Sequence, residues 1–491
     1  MARFNKTAVS TVSVPNTTNL AGGDAFTMSS KLEFATALLT SLTTDAFYKS
    51  AEGQVNRIAE LTRTLEDPLF AAKAAIYTRT KGGLRSVSHI VAGELSQRMD
   101  VKGQEWLRKF YSAVVIRPDD ITETLSYIAA NGNPKLRNLS NAMKKGFGKA
   151  LASFDSYQLA KYKGSGKELN LYDAVNLLHP KASPALTELM TGSLKPADTW
   201  ETKLTQAGQE ATTAEEKATL KGEAWTNLLT QRKLGYMACV RNLRNIADQA
   251  PGALPLALEL VQDPRQVQKS MMLPFQIYTA TEAIRGSKAD TPEVKLALEK
   301  AMEYSLVNVP KFDGTTLIAV DTSGSMIGKP VQIAALMTAV LFKSNNADVL
   351  HFSTNAEYLD LHPADSLTSL TNGIIERAYG GGTDFHRIFE MANKSYDRVI
   401  ILSDMQAWVK HPAGGYGYSS DPHQAHKNYN KKFKCNPRIY SFDLNGQGTL
   451  QFPEERVYAL AGFSDAVLRT MQNLEKDPQA LVHEIEQVSF T

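Results

Sequence analysis

The chain has 491 residues, 43% of them hydrophobic and 21% charged, and carries a formal net charge of +3. That length exceeds what one hydrophobic core serves, so two or more domains are expected, with the composition of an ordinary globular protein. The small net charge names no partner; no apolar run reaches the ~20 residues needed to cross a membrane; and Cys239 and Cys435 match neither a disulfide scaffold nor a zinc site.

Residues 1–19, beginning Met1-Ala2-Arg3-Phe4-Asn5-Lys6, lack the apolar core of a signal sequence and read as an N-terminal arm. With so few cysteines, a reducing, cytoplasmic setting is expected. From about residue 29 to 310 apolar residues recur at helical spacing. Leu32, Phe34, Ala37, Leu38 and Leu42 form the first stripe, with Ser29-Ser30 as its cap. Further helical patterns span 53–65, 67–82, 84–99, 105–116, 118–130, 134–154, 170–179, 183–191, 215–234, 236–248, 254–285 and 291–306. Residues 205–222 read as an exposed helix or a long loop. Many short helices with tight turns predict an α-solenoid of paired helices.

Near Val309-Pro310 the pattern changes. Strand signals appear at 315–320, 347–353, 397–402, 437–442 and 456–460. Helical patterns intervene at 329–344 and 384–395, and 464–481 supports one or two more. This alternation predicts a doubly wound, mostly parallel sheet, with 357–361 as an antiparallel edge strand. The division expected is an arm over 1–19, a helical domain over 20–308 and an α/β domain over 309–491. Residues 411–434 mix glycine, tyrosine and lysine in a way that could contact nucleic acid, although a solvated loop is the plainer reading.

The α/β domain carries one site with chemistry in it. Asp321-Thr322-Ser323-Gly324-Ser325 follows the apolar run Leu317-Ile318-Ala319-Val320, placing a carboxylate and two hydroxyls on alternate residues of a tight turn. Gly380-Gly381-Gly382-Thr383-Asp384 offers a second oxygen-bearing loop, and the strand Val399-Ile400-Ile401-Leu402-Ser403 ends in Asp404. Loops at the carboxyl ends of parallel strands converge on one crevice. Oxygen-only ligands suit Mg²⁺ or another hard cation such as Mn²⁺. The combination resembles the metal-ion-dependent adhesion site of von Willebrand factor A domains. The resemblance implies Asp321, Ser323, Ser325, Thr383 and Asp404 as metal ligands.

The most basic part of the helical domain is 135–181. It holds Lys135, Arg137, Lys144, Lys145, Lys149, Lys161, Lys163, Lys167 and Lys181 against only Asp155, Glu168 and Asp173. Leu136, Leu139, Met143, Phe147, Leu151 and Phe154 form an apolar stripe, so Lys145 and Lys149 point away from it. A deficit of compensating acids over so long a stretch suits a phosphate-binding face, while lysines on an amphipathic helix are also commonly just solvated. His179 could contact RNA or serve as a helix C-terminal cap. Arg79, Lys81 and Arg85 bracket Gly82-Gly83, where cations can meet phosphate or where one helix simply ends. Arg241 and Arg244 share a helix face, either toward RNA or toward acids of a neighbouring repeat.

A helical repeat domain followed by an A domain resembles the Ro autoantigen, or TROVE, family, including its bacterial Ro-like members. The matching residues are Arg137, Lys144-Lys145-Gly146-Phe147-Gly148-Lys149-Ala150 and Leu159-Ala160-Lys161-Tyr162-Lys163. Leu177-Leu178-His179-Pro180-Lys181, Arg241-Asn242-Leu243, Leu273-Pro274-Phe275-Gln276-Ile277 and Ala21-Gly22-Gly23-Asp24-Ala25-Phe26 extend the match. The resemblance implies HEAT-like repeats closed into a ring, an outer surface that binds a small structured noncoding RNA (Y RNA), and a hole that takes single-stranded 3′ ends of misfolded RNA. It implies a monomeric, membrane-free scaffold in RNA quality control that can work with an exoribonuclease.

No enzyme motif competes. The chain has no Gly-rich phosphate loop followed by Lys-Ser/Thr and no Gly-x-Ser-x-Gly elbow, and Asp321 with Asp404 offers too few carboxylates for a two-metal nuclease. The alternative is a protein-interaction module that grips an acidic partner through the metal site and has no RNA function.

Overall fold

Many helices of the N-terminal part start on a side-chain cap. The computed structural model describes residues 17–18, 24–25, 29–40, 51–164, 167–378, 380–405, 422–444, 457–461, 468, 471–472, 475 and 480–490. A two-residue pairing of β1 (Thr17–Thr18) with β2 (Asp24–Ala25) precedes the first helix, Ser30–Thr40. In the Pro68–Thr80 helix, proline opens the first turn and the Asp67 carboxylate accepts from the Phe70 amide at 2.9 Å. Asn170, Ser183, Thr213 and Thr291 cap later helices in the same way.

Two expectations need correction here. The 134–154 pattern begins as a helix only at Asn141, because Leu136 and Asn138 hold left-handed backbone and Ser140 supplies the cap. The stripe is still buried, with Met143, Phe147 and Leu151 fully inside. The single 254–285 pattern is three helices, Leu254–Val261, Pro264–Ser270 and Pro274–Ile284, restarted at the two prolines. Residues 205–222 belong to a helical pair, Trp200–Glu210 and Ala214–Thr230, held by Trp200 stacked on Trp225 at 5.8 Å. The short Ser156–Lys161 helix buries one leucine and gives no periodic signal, whereas Leu367–Ile375, also absent from the expected elements, buries Leu367, Leu370, Thr371 and Ile374 at helical spacing.

The C-terminal domain is a six-stranded sheet made of β3 (Thr316–Asp321), β4 (Ala347–Phe352), β5 (Ala356–Tyr358), β6 (Arg398–Ser403), β7 (Arg438–Asp443) and β8 (Val457–Ala461). The order is β5-β4-β3-β6-β7-β8, with only β5 antiparallel. Strands β3 and β6 are buried along their whole length, as apolar runs flanked by helices should be. The chain leaves β3 for β4 on one side and returns to β6 on the other, which opens a crevice at their carboxyl ends.

The helical run meets this domain at both ends. Near the junction, Lys343 pairs with Glu303 at 2.9 Å and the Phe312 amide donates to Asn345 at 2.8 Å. At the other end, the Ser30–Thr40 helix packs on β8 and on the Ala480–Glu486 helix. Lys31 reaches Glu486 at 2.8 Å, Lys73 donates to the Glu486 carbonyl, and Tyr77 donates to Glu484 at 2.6 Å. Phe490 then lies 6.1 Å from Trp106 and 6.2 Å from Phe110. The solenoid therefore closes on the α/β domain.

Candidate nucleic-acid interface and metal crevice

The 135–181 cations gather around one close approach. A β-carbon on Gly148 would lie 3.5 Å from the Pro180 Cα, so the turn that follows the Leu171–Leu178 helix packs directly on the Asn141–Ala152 helix. His179 ends its helix in left-handed backbone, its amide donating to Val175 at 3.0 Å, and its side chain is exposed. The cap reading of its backbone and the exposure of its imidazole are compatible. Lys145, Lys149 and Lys181 are exposed and Lys144 half-buried around this approach. Lys135 and Arg137 stand on a loop clamped by Asn133, which donates to the Arg137 carbonyl at 2.7 Å and accepts from its amide at 3.0 Å.

Lys161 ends the Ser156–Lys161 helix, its ammonium 5.6 Å over the Tyr162 ring, and Lys163 follows it and lies over the Tyr172 ring at 5.1 Å. None of these cations has a carboxylate partner among the described residues, whereas Lys167 is paired with Glu123 at 2.6 Å.

One cation adjacent to this face is not foreseen from the sequence. A β-carbon on Gly146 would fall 2.6 Å from the Arg108 carbonyl, so the Glu105–Ala113 helix runs against Asn141–Ala152 and presents exposed Arg108 beside it. Only the pair of glycines at 146 and 148 hints at helices this close.

The turn at Gly82-Gly83 corrects another expectation. Arg79 is buried, 8% exposed, and binds Asp120 at 3.0 Å; Arg85 reaches the same carboxylate at 3.1 Å and Asp119 at 2.9 Å. His89 Nε2 lies 3.0 Å from Asp120, and the amides of Ile116 and Arg117 donate to it at 3.0 and 2.9 Å. Burial alone would raise the Asp120 carboxyl, but the His89 hydrogen bond and the neighbouring cations hold it well below the usual range. Arg79 and Arg85 thus tie three helices together, and only Lys81 of the three cations is exposed. Arg241 and Arg244 are exposed on the Tyr236–Gln249 helix, whose neighbours are the 214–230, 254–261 and 274–284 helices rather than those of the 135–181 face.

In the crevice, Asp321 ends β3 fully buried. Its carboxylate accepts from the Ser323 amide at 2.8 Å and from the Ser403 hydroxyl at 2.5 Å. Ser403, absent from the expected ligand set, also accepts from the Met405 amide at 3.0 Å. The hydroxyls of Ser323 and Ser325 are 3.3 Å apart. The Gly324 amide donates to the Gly381 carbonyl at 3.1 Å, which fastens the loop bearing Thr383 to this turn; Gly380 and Gly381 both hold positive φ there. Thr383 and Asp404 are buried and Ser325 is exposed.

Burial, with a further contribution from the Asp404 charge, pushes the Asp321 carboxyl up to about 7. Among the described residues no group of three or more His, Cys, Asp or Glu is placed to hold a metal. A cation here would rest on two carboxylates and three hydroxyls, a donor set that fits a hard ion and not zinc.

The helix that follows residue 421 answers the 411–434 expectation in part. Pro422–Phe433 is helical, and Tyr429 is buried, donating to the Lys394 carbonyl at 3.0 Å. Tyr429 is therefore no stacking surface. Residues 411–421 lie outside the described residues, as do 1–16 of the expected arm.

The TROVE domain model matches residues 27–207 and 190–311, together more than half of the chain. The chain belongs to the TROVE domain family. The crystal structure of the Deinococcus radiodurans Ro (RSR) protein superposes with a TM-score of 0.63 at 17% identity, covering 93% of this chain and 99% of that one. The two share a fold, which includes both the helical repeats and the α/β domain. Telomerase protein component 1 of Mus musculus is 23% identical over 337 residues, and its Rattus norvegicus counterpart is 27% identical over 146. This chain spans only 13% and 5% of those proteins' lengths. The 135–181 face lies wholly within the TROVE match, and the metal crevice lies outside it.

Proposed function

We propose that this TROVE protein is a non-catalytic RNA-binding scaffold whose 135–181 face holds a small structured RNA, of the Y type, by its phosphates. The observation that carries the reading is the gathering of Lys144, Lys145, Lys149, His179 and Lys181 where Gly148 meets Pro180, with no carboxylate partner among the described residues. Cations with no partner on a rigid surface suit a polyanion, because binding releases the counterions condensed on it. Family membership supports the wider role: single-stranded 3′ ends of misfolded RNA taken by the ring, with an exoribonuclease as working partner in RNA quality control.

The test is filter binding of a stem-loop RNA across a salt series. Affinity should fall by about one log unit per log unit of salt for each phosphate neutralised. No binding at low salt, or binding indifferent to salt, would overturn the reading.

We also propose that Asp321, Ser323, Ser325, Thr383 and Asp404 hold Mg²⁺ or a similar cation. The carboxylate buried beside a second carboxylate favours this, since a divalent ion would supply the missing positive charge. When bound, the ion would offer an attachment point for a partner's carboxylate, while Ser403 orients Asp321 toward it.

A further inference from the structure

The Pro422–Phe433 helix of the α/β domain divides into two unlike halves. Ala425, His426 and Tyr429 are buried on one, against the His386–Met391 helix, with Phe389 4.9 Å from the His426 ring and 5.7 Å from the Tyr429 ring. At about 100° per residue the other half takes Gln424, Lys427, Asn428, Lys431 and Lys432. Lys434 follows in left-handed backbone.

Residues 422–434 hold four lysines and no acid. Lys431, Lys432 and Lys434 are exposed and Lys427 is half-buried. None of the four has a carboxylate partner among the described residues, and the one acid of the helix beneath, Glu390, is held by Arg387 at 3.0 Å. Lys432 lies over the Phe433 ring at 4.8 Å, which orients its ammonium and leaves the charge without a counterion. Cations in a last turn also offset the helix dipole, but that accounts for Lys431 and Lys432 and not for Lys427.

The outer half has nothing apolar to insert into a lipid surface. It offers lysines and amides and no arginine. Arginine makes forked contacts to carboxylates, whereas lysine is a point charge suited to a dense field of phosphates, with amides reaching phosphate and sugar oxygens. We infer that this half of the helix is a second polyanion surface, on the α/β domain, that takes the phosphate backbone of RNA by charge alone. It reads no unpaired base, since Tyr429 is buried. The RNA-binding reading above supplies the identity of the polyanion; the place rests on these residues.

The test is lysine footprinting of the full chain. An amine-acetylating ester is applied with and without a blunt RNA duplex at low salt, and each lysine is read by mass spectrometry. Lys427, Lys431 and Lys432 should acetylate about tenfold more slowly beside the duplex and recover at high salt, as contacts that release counterions must. In a chain carrying Lys145→Gln and Lys149→Gln, adding Lys427→Gln, Lys431→Gln and Lys432→Gln should weaken the residual duplex binding about tenfold further. Unchanged rates at Lys427, Lys431 and Lys432 while Lys145 and Lys149 are protected would overturn the assignment and leave the 135–181 reading standing. The reverse pattern would bring down that reading and support this one. Polyglutamate of matched charge protecting the three lysines as strongly as RNA would overturn the assignment in favour of an acidic protein partner. Protection of none of these lysines would bring down both.

Discussion

Gly148 and Pro180 touch: a β-carbon added to Gly148 would lie 3.5 Å from the Pro180 Cα and 3.8 Å from the Leu178 carbonyl. That approach sets the distance between the cations of one helix and the imidazole that ends the next. Gly148→Ala should be tolerated, since these are ordinary van der Waals separations. Gly148→Leu should push the His179 turn outward and weaken stem-loop RNA binding more than it lowers the melting temperature. Equal RNA affinity in the leucine variant would show that the turn does not contribute.

Lys161→Ala together with Lys163→Ala should lower the slope of log affinity against log salt by roughly two units, one for each phosphate left without its ammonium. His179→Ser should lower affinity with little change in slope, because a neutral imidazole releases no counterions. Filter binding over a salt series separates the two. Unchanged binding in both would mean that these side chains are only a solvated surface.

Asp120→Asn should destabilise the helical domain by roughly 3 kcal/mol or more, since it leaves the buried Arg79 without its partner charge. The sign with pH follows from the depressed Asp120 carboxyl. Its stabilisation is complete above the unfolded value near ~4 and is lost as pH falls further toward the folded value. Denaturant titrations of wild type and variant at falling pH should therefore converge.

Asp321→Ala should abolish Mg²⁺ binding measured by calorimetry while leaving stem-loop RNA affinity almost unchanged, since crevice and basic face lie on different domains. Mg²⁺ should raise the melting temperature of the wild type and not of the variant. Undiminished Mg²⁺ binding would reject the ligand assignment.

Phe490→Ala should cost about 1–2 kcal/mol by removing the ring that packs against Trp106 and Phe110. Limited proteolysis should then release residues 480–490 before the helical domain is cut. Simultaneous cleavage would show that this segment has no separate opening.

Elements with their own signal are legible without coordinates. The Lys329–Ser344 helix and the strands β3, β4, β6 and β7 stand within a residue of where periodicity puts them, because each is a long apolar pattern with marked ends. The short Ser156–Lys161 helix offers one buried leucine and no period to read. Charge is the weaker guide to the surface. Lys145 and Lys149 are exposed as helical phase requires, yet Arg79 and Arg85 have the same local appearance and are held by Asp120, some 35 to 41 residues away. Nothing nearby in the chain announces such a partner. Ser403 is hidden for a similar reason, its hydroxyl meeting Asp321 across 82 residues.

The closure through Lys31 and Glu486 joins positions 455 residues apart. During translation, at roughly 5–20 residues per second, Lys31 emerges on the order of half a minute or more before its partner exists. The Pro68–Thr80 and Glu105–Ala113 helices must wait nearly as long with Tyr77, Trp106 and Phe110 uncovered. The repeats must therefore hold their shape on nearest-neighbour packing alone while the nascent chain is still attached. A ribosome stalled before codon 486 would therefore leave an open arc with its apolar seam exposed to chaperones.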